Sequence, residues 1–174
     1  MLALVVAGLS LWDAHQERAK EDRDRAAAER RAAGEAVFVM RGVVEADGQR
    51  LRLEPVHADE VIQSQTFVFP AKVRGDVVRT TGDARIDADW VTDGLRKSGP
   101  SAGRGDGGDL LVPVGVTTTY LADGQAVSDQ SIYLVGYRLR PRWLLGAKVE
   151  LEGLSLARRG VAGDLRGKVE AMWR

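Results

Sequence analysis

The spacing of apolar residues changes twice along the chain, and the two changes divide it into three parts. Met1–Trp12 is almost entirely apolar, the next twenty-odd residues carry charges of both signs, and from Ala36 apolar residues recur at every second position. These three patterns predict in turn a membrane-inserted or packed helix, a solvated helix and a series of half-buried strands. We therefore predict an apolar anchor segment at residues 1–12, a charged helical stalk at 13–34 and a β-rich head domain at 35–174.

The head alternates over about nine short segments, which predicts a mainly β protein with an antiparallel β-sandwich or a small β-barrel. The tetrapeptide Ala-Asp-Gly-Gln occurs twice, at 46–49 and 122–125, each time between alternating segments, and this predicts two hairpin tips. A duplicated half-domain is the alternative explanation of this repeat. One short helix is expected near Ala88–Lys97 before a Gly-Pro pair, and the alternation of Leu165–Trp173 predicts a final strand.

The N-terminal apolar run would extend about 18 Å as a helix, whereas a bilayer core requires about 20 residues. We interpret the run as a minimal or truncated transmembrane anchor; a signal-peptide core and an amphipathic helix packed on the head or on another subunit are the alternatives. Trp12 lies at the polar boundary, as interfacial aromatic residues do. The residues expected at the membrane are Leu4, Val5, Val6, Leu9, Leu11 and Trp12.

The stalk has oppositely charged residues three or four positions apart, such as Glu17 with Lys20 and Glu21 with Arg25, and Gly34 follows as a helix stop. Almost no apolar stripe runs along it, which indicates a solvated spacer or one helix of a polar oligomeric bundle. Its basic residues alone would favour the cytoplasm. Small β-rich heads on single anchors are nevertheless common in bacterial envelopes, so we expect an inner-membrane protein with a periplasmic head.

The amino-acid composition excludes several kinds of catalytic and metal-binding site. The 174 residues include no cysteine and only two histidines, which excludes disulfides, thiolate zinc sites and cysteine nucleophiles. The formal net charge is zero, so the whole molecule has no strong attraction to nucleic acid. No nucleophile motif or catalytic carboxylate pair stands out. We therefore expect a non-enzymatic protein with no cofactor and no metal ion.

Three further features have a simple structural interpretation and a functional one. The Gly- and Asp-rich segment Gly99–Asp109 is typical of a surface loop, and calcium binding is its alternative. His57 stands among carboxylates and is expected in a solvated loop, the alternative being a metal ligand or proton relay. Arg-Gly-Asp at 74–76 and 104–106 resembles an adhesion signal, but the first copy falls inside a predicted strand and such tripeptides recur by chance.

The segment from Tyr137 to Trp143 alternates arginines with apolar residues. Arginine rows beside aromatic residues bind phosphates or single-stranded nucleic acid, and they also dock on lipid headgroups or on acidic protein surfaces. A half-buried strand with one solvated face explains the same pattern without a ligand. If the head has a partner-binding site, we predict that it includes Tyr137, Arg138, Arg140, Arg142 and Trp143.

From these patterns we expect a non-enzymatic, membrane-tethered envelope component that acts as a structural and protein-interaction subunit of a larger, oligomeric assembly. Its expected partners are the membrane, through residues 1–12, and other protein subunits; nucleic acid is not expected. The alternative is a soluble β-barrel module that binds nucleic acid or another polyanion through Arg138, Arg140 and Arg142. A hydrolase or ligand binder with a site around His57 is a third possibility.

Overall fold

The alternating segments of the head form two antiparallel sheets in a computed structural model, which describes residues 38–98, 110–142 and 146–173. The strands are β1 (Met40–Glu45), β2 (Arg50–Pro55), β3 (Val61–Val68), β4 (Val78–Thr81), β5 (Arg85–Asp87), β6 (Leu110–Ala122), β7 (Gln125–Arg142) and β8 (Gly146–Arg158), and the helices are α1 (Asp89–Ser98) and α2 (Leu165–Met172). The sheet orders are β1-β2-β5 and β4-β3-β6-β7-β8.

The prediction of a mainly β head is confirmed, with eight strands in the described residues where about nine were expected. Across these residues the strands form two sheets, not one closed barrel. The predicted anchor at 1–12 and the whole of the predicted stalk at 13–34 lie outside the described residues.

The long β6–β7 hairpin is the centre of the larger sheet. Its strands are rich in valine, threonine and tyrosine, which fit a pleated and partly buried surface. Ala122 pairs with Gln125, so the turn contains only Asp123 and Gly124, whose φ angles are 50° and 74°. Two positive φ values in succession define the type I′ turn that matches the twist of a hairpin. The second copy of the repeated tetrapeptide is therefore a hairpin tip, as predicted.

The first copy also connects two paired strands, but it folds differently. Glu45 pairs with Arg50, so four residues form the turn, and Ala46, Asp47 and Gly48 have φ angles of 49°, 51° and 77°. This turn lies against the edge strand β8, where the side-chain amide of Gln49 donates to the Val149 carbonyl oxygen at 3.1 Å. The same four letters thus make two different turns, because one of them packs against another strand.

The core lies between the two sheets. Direct contacts join the smaller sheet to the larger one: the rings of Phe38 and Tyr120 stack with centroids 4.1 Å apart, and the Met40 backbone N–H donates to the Tyr133 hydroxyl at 3.1 Å. Fully buried apolar side chains from both sheets complete this core, among them Leu51, Leu53, Ile86, Phe67, Val112, Val114, Val116, Val135 and Leu151.

Helix α1 closes one side of the core, and its position agrees with the helix predicted near Ala88–Lys97. Val91 and Leu95 are buried on its inner face. Gly94 packs so closely on the loop before β4 that a Cβ atom there would lie 2.0 Å from the Val73 carbonyl oxygen. The strand predicted to contain the first Arg-Gly-Asp copy begins later than expected, since the chain turns at Pro70 and strand pairing starts only at Val78.

The final strand predicted at Leu165–Trp173 is also wrong, because this segment forms helix α2. An Asp164 side-chain oxygen accepts a hydrogen bond from the Gly167 N–H at 3.0 Å and caps the helix. Leu165 and Val169 are four residues apart, so they share a helix face as well as a strand face. That face packs on Ile132, on the side of the larger sheet that faces away from the smaller one.

Candidate functional site on β7 and β8

The predicted arginine row lies on the outer face of strand β7. Arg138 and Arg140 are exposed, Leu139 is partly buried between them, and Tyr137 is fully buried in the core. The alternation of the sequence therefore separates the arginines from the aromatic residue as predicted. Tyr137 is a core residue in this arrangement and does not line the arginine face.

The neighbouring strand places carboxylates beside both arginines. Because Arg138 pairs across the sheet with Glu150 and Arg140 with Lys148, the side chains of β7 and β8 interleave on one face. Arg138 forms an ion pair with Glu152, and Arg140 forms one with Glu150. We call this set of four side chains the arginine–glutamate face. Within this set each arginine has one carboxylate partner, and Lys148 lies beside the set with its Nζ atom 3.5 Å from Glu150.

Glu150 shows how closely these charges interact. Partial desolvation alone would raise the pKa of its carboxyl group, but the hydrogen bond and charge of Arg140, together with Lys148, lower the pKa below its usual value. The carboxylate is therefore ionised at neutral pH and remains a fixed negative neighbour of Arg140. Such exposed pairs contribute little to stability, but they reduce the positive potential that a polyanion would encounter.

An open cleft of about 560 Å³ borders this face, between the β1–β2 turn and the edge of β8. Its charged lining consists of Asp47, Glu150 and Glu152 with Arg140 as the one basic side chain among the described residues. Val44, which is exposed, provides apolar surface at the same place. Glu150 and Glu152 are the carboxylates already paired with Arg140 and Arg138, so Asp47 is the acidic side chain that the cleft adds to the arginine–glutamate face.

Several predicted site residues fall outside what the structure describes. Arg142 ends β7, but its side chain is not among the described ones, and Trp143 follows outside the described residues. The six expected membrane residues, Leu4, Val5, Val6, Leu9, Leu11 and Trp12, also lie outside them. Neither helix of the described region has the length and hydropathy that a bilayer crossing requires.

The remaining sequence candidates give no assembled site. His57 is exposed, and within the described ranges no three histidine, aspartate or glutamate side chains come together as a metal ion would need. The first Arg-Gly-Asp copy lies in a bend, not in the strand predicted for it. The Arg74 guanidinium is turned towards α1, where it donates to the Trp90 carbonyl oxygen at 3.1 Å. The Gly99–Asp109 loop and the second copy lie outside the described residues.

The structure also contains a group of polar side chains within the core that the sequence analysis missed. Gln65 on β3 pairs with Thr118 on β6, which pairs with Asp129 on β7, so the three side chains point to the inner face of the larger sheet. The Gln65 amide donates to the Thr118 hydroxyl at 3.2 Å. Ser131 donates to an Asp129 carboxylate oxygen at 2.7 Å. Glu60, just before β3, is buried and coupled electrostatically to Asp129.

Burial changes the pKa values of several of these polar side chains. Burial raises the pKa of Glu60. The nearby charges of Asp59 and Asp129 raise this pKa further, whereas His57 lowers it. Burial also raises the pKa of Asp129 despite the hydrogen bond from Ser131, and it raises the pKa of Tyr133 to about 12. The described core therefore holds two carboxyl groups that ionise less readily than carboxyl groups in water.

The sequence pattern alone places some of these polar side chains on the inner face of their strands. Gln65 alternates with Phe67, and Asp129 and Ser131 alternate with Tyr133 and Val135, so period-two spacing places these polar residues on the apolar face. The spacing does not identify which strands are neighbours. Only the register of β3, β6 and β7 shows that the polar positions meet.

Comparisons with known proteins add no family to this geometry. No family model matches the chain, and neither the curated proteins nor the solved structures give a significant match.

Proposed function

We propose that this chain is a non-enzymatic, membrane-tethered envelope component whose two-sheet head is a protein-interaction subunit of a larger assembly. Residues 1–12 anchor it in the inner membrane, residues 13–34 form a helical stalk, and the head, a β-sandwich in our interpretation, lies in the periplasm. The apolar run and the charge pairs of the stalk support this organisation.

One observation favours protein interaction over polyanion binding: Arg138 and Arg140 are paired with Glu152 and Glu150. A polyanion-binding strand gains its affinity from basic side chains that neutralise phosphates and release counterions. Here each of the two arginines already has a carboxylate neighbour, and Asp47 adds a further acidic side chain in the adjoining cleft. Protein interfaces use such mixed-charge surfaces for specificity and orientation.

Membrane tethering is tested by fractionation. The full chain should remain with membranes after washing in high salt, because apolar insertion is not screened by ions. A chain that lacks residues 1–12 should appear in the soluble fraction. Release of the full chain by salt alone would contradict the anchor.

The interaction face is tested by photo-crosslinking in cells. A photoreactive residue in place of Arg138 should give discrete protein adducts, whereas the same residue in place of Asp93, which is exposed on α1, serves as the control. Adducts of equal pattern at both positions would contradict a specific face.

The polyanion alternative predicts a different outcome. Oligonucleotides should then bind the full chain in a strongly salt-dependent manner, and Arg138→Ala with Arg140→Ala should reduce the salt slope by about two. We expect no such binding in dilute salt. Salt-sensitive binding that these two substitutions abolish would replace our proposal by the alternative.

A further inference from the structure

A second cleft, of about 260 Å³, lies where the two sheets meet, between β2 and the start of β3. Its walls include the apolar side chains Leu53, Pro55 and Val61, and Glu60 is part of its lining. Val61 is 53% exposed, so its side chain adds accessible apolar surface to the lining of the cleft. We call this feature the Glu60 cleft.

Glu60 has an unusual position in this cleft. Its side chain is only 6% exposed, and its Oε2 atom is buried with no hydrogen-bond partner among the described residues. The other charged residues that line the cleft are paired: Arg52 bonds to Glu45 and Glu54, and Asp83 bonds to Arg85. Among the described charged residues that line the cleft, Glu60 is therefore the one with a buried side-chain oxygen that lacks a hydrogen-bond partner.

A buried carboxylate without a partner is costly, because it has lost water and gained nothing in return. Two events relieve this cost. The carboxyl group takes up a proton, or a cationic donor enters the cleft and bonds to it. The ionisable groups around Glu60 are His57, Asp59, Asp129, Tyr120 and Tyr133, and Arg52 lines the same cleft. The two carboxylates among them increase the negative potential that a cation would meet, whereas Arg52 is held by Glu45 and Glu54.

We propose that the Glu60 cleft receives one lysine or arginine side chain of a partner protein. The aliphatic stem of that side chain packs on Leu53, Pro55 and Val61, and its charged end bonds to Glu60, in the manner of long basic side chains at interfaces. The small volume of the cleft limits the occupant to a single side chain. This inference rests on the proposed protein-interaction function and names the chemistry of one contact.

In this arrangement a basic side chain binds in the cleft when Glu60 is ionised and not when Glu60 is protonated. A cation beside the carboxylate favours its ionised form, so binding releases a proton from any molecule whose Glu60 is protonated. Affinity for a basic side chain should consequently increase as the pH rises and level off once Glu60 is ionised. A contact that depended on shape alone would show no such dependence.

The test uses the full chain in a neutral detergent and a small probe, the acetylated methylamide of arginine. Its binding is followed by amide chemical shifts, and the acetylated methylamide of citrulline, which has the same shape without the charge, is the matched probe. We expect saturable shifts around residues 60–62 with the arginine probe and at least tenfold weaker binding with citrulline. Equal binding of the two probes would overturn the proposal.

Two substitutions separate a specific contact from a general negative field. Glu60→Gln keeps the shape of the side chain and should weaken arginine-probe binding at least tenfold. Asp59→Asn removes a neighbouring exposed carboxylate and should have less than a threefold effect. Similar losses in both variants would show that the cleft attracts cations without a bond to Glu60, which contradicts the proposal.

A third measurement needs no variant and so does not depend on how Glu60→Gln folds. In the unmodified chain, binding of the arginine probe should be tighter at pH 7.5 than at pH 4.5, and affinity independent of pH would overturn the inference. The probe experiment requires no membrane and no natural partner. Failure of the anchor or of the crosslinking face therefore leaves it unaffected, and its failure leaves those two results unaffected.

Discussion

Gly48 and Gly124 hold the same place in two copies of one tetrapeptide, and both have a positive φ near 75°. Their surroundings differ. A Cβ atom at Gly124 would meet nothing within 4 Å, whereas one at Gly48 would lie 2.9 Å from the Glu150 Cβ atom and 3.0 Å from the Leu151 carbonyl oxygen. The first glycine is required by the backbone conformation and by the approach of β8, the second by the backbone conformation alone.

This difference gives a prediction at the residue scale. Gly124→Ala should cost about 1–2 kcal/mol, the usual penalty of a left-handed conformation for an L-residue. Gly48→Ala should cost about 1–3 kcal/mol more, because the added methyl group must also displace β8. Urea unfolding of both variants measures the difference. Equal losses would show that the contact with β8 contributes nothing.

The buried carboxyl groups give a prediction about pH. Burial raises the pKa of Glu60 and Asp129 in the folded chain. The stability that these two groups contribute is therefore fully present below their unfolded pKa values, near 4, and is lost as the pH rises through the raised folded values. Glu60→Gln cannot ionise, so it should gain stability relative to the unmodified chain between pH 4 and pH 7.

The measurement is the difference in unfolding free energy between Glu60→Gln and the unmodified chain at several pH values. Taking the difference cancels the titration of the carboxyl groups that do not interact with Glu60. A difference that stays constant, or that moves against the variant as the pH rises, would contradict a raised pKa at Glu60.

At the scale of elements, helix α1 depends on a glycine in its interior. Glycine is normally unfavourable inside a helix by about 1 kcal/mol relative to alanine. At Gly94, however, a Cβ atom would lie 2.0 Å from the Val73 carbonyl oxygen and 2.4 Å from its Cα atom. Neither is the end of a flexible side chain, so the helix or the loop would have to move.

Gly94→Ala should therefore destabilise the head by about 3 kcal/mol or more, although it improves helix propensity. Asp93→Ala is the matched control: it lies one residue earlier on the exposed side of the helix and gains the same kind of propensity without a clash. We expect its stability to change by less than about 0.5 kcal/mol. Thermal unfolding distinguishes the two, and equal stability of both variants would refute the packing argument.

Helix α2 shows that one spacing of apolar residues fits both a strand and a helix. Leu165 and Val169 are four residues apart. This separation places them on one face of a strand, where every second side chain points the same way, and also on one face of a helix, where residues four apart are neighbours. Two local features favour the helix, namely the Asp164 cap and the space that Gly115 leaves for Leu165 on the sheet. The first is visible in the sequence, whereas the second depends on a strand fifty residues away.

At the scale of the whole molecule, two buried polar contacts join the two sheets in the described residues: the Met40 N–H donates to the Tyr133 hydroxyl, and the Gln65 amide donates to the Met40 sulfur at 2.9 Å. The N–H group of Met40 has this hydroxyl as its acceptor in the core. Tyr133→Phe would remove the acceptor and leave the N–H group unpaired. An unpaired buried donor costs about 1–3 kcal/mol.

Tyr133→Phe should thus lower the free energy of unfolding by about 1–3 kcal/mol while keeping the apolar packing. Hydrogen exchange locates the effect: protection of the Met40 amide should fall more than that of Leu53, whose N–H donates to the Ala84 carbonyl oxygen within the smaller sheet. Uniform loss of protection at both amides would mean that this bond has no local role in joining the sheets.

The sequence by itself determined which residues face inward along most strands, the two hairpin tips and the helix near Ala88. These features depend on neighbours a few positions apart, so period-two spacing and Asp-Gly turns suffice to predict them. The same spacing placed Arg138 and Arg140 on an exposed face. It left the partners of that face open.

Only the tertiary structure decided what lies beside each face. The pairing of β7 with β8 brings Glu150 and Glu152 to the arginines, and the meeting of the two sheets buries Glu60 in a cleft. Both arrangements bring together residues that are distant in the chain, and strand order and register are set by the packing of the whole core. For this reason the pairing of Arg138 and Arg140 with carboxylates could not be read from a local pattern.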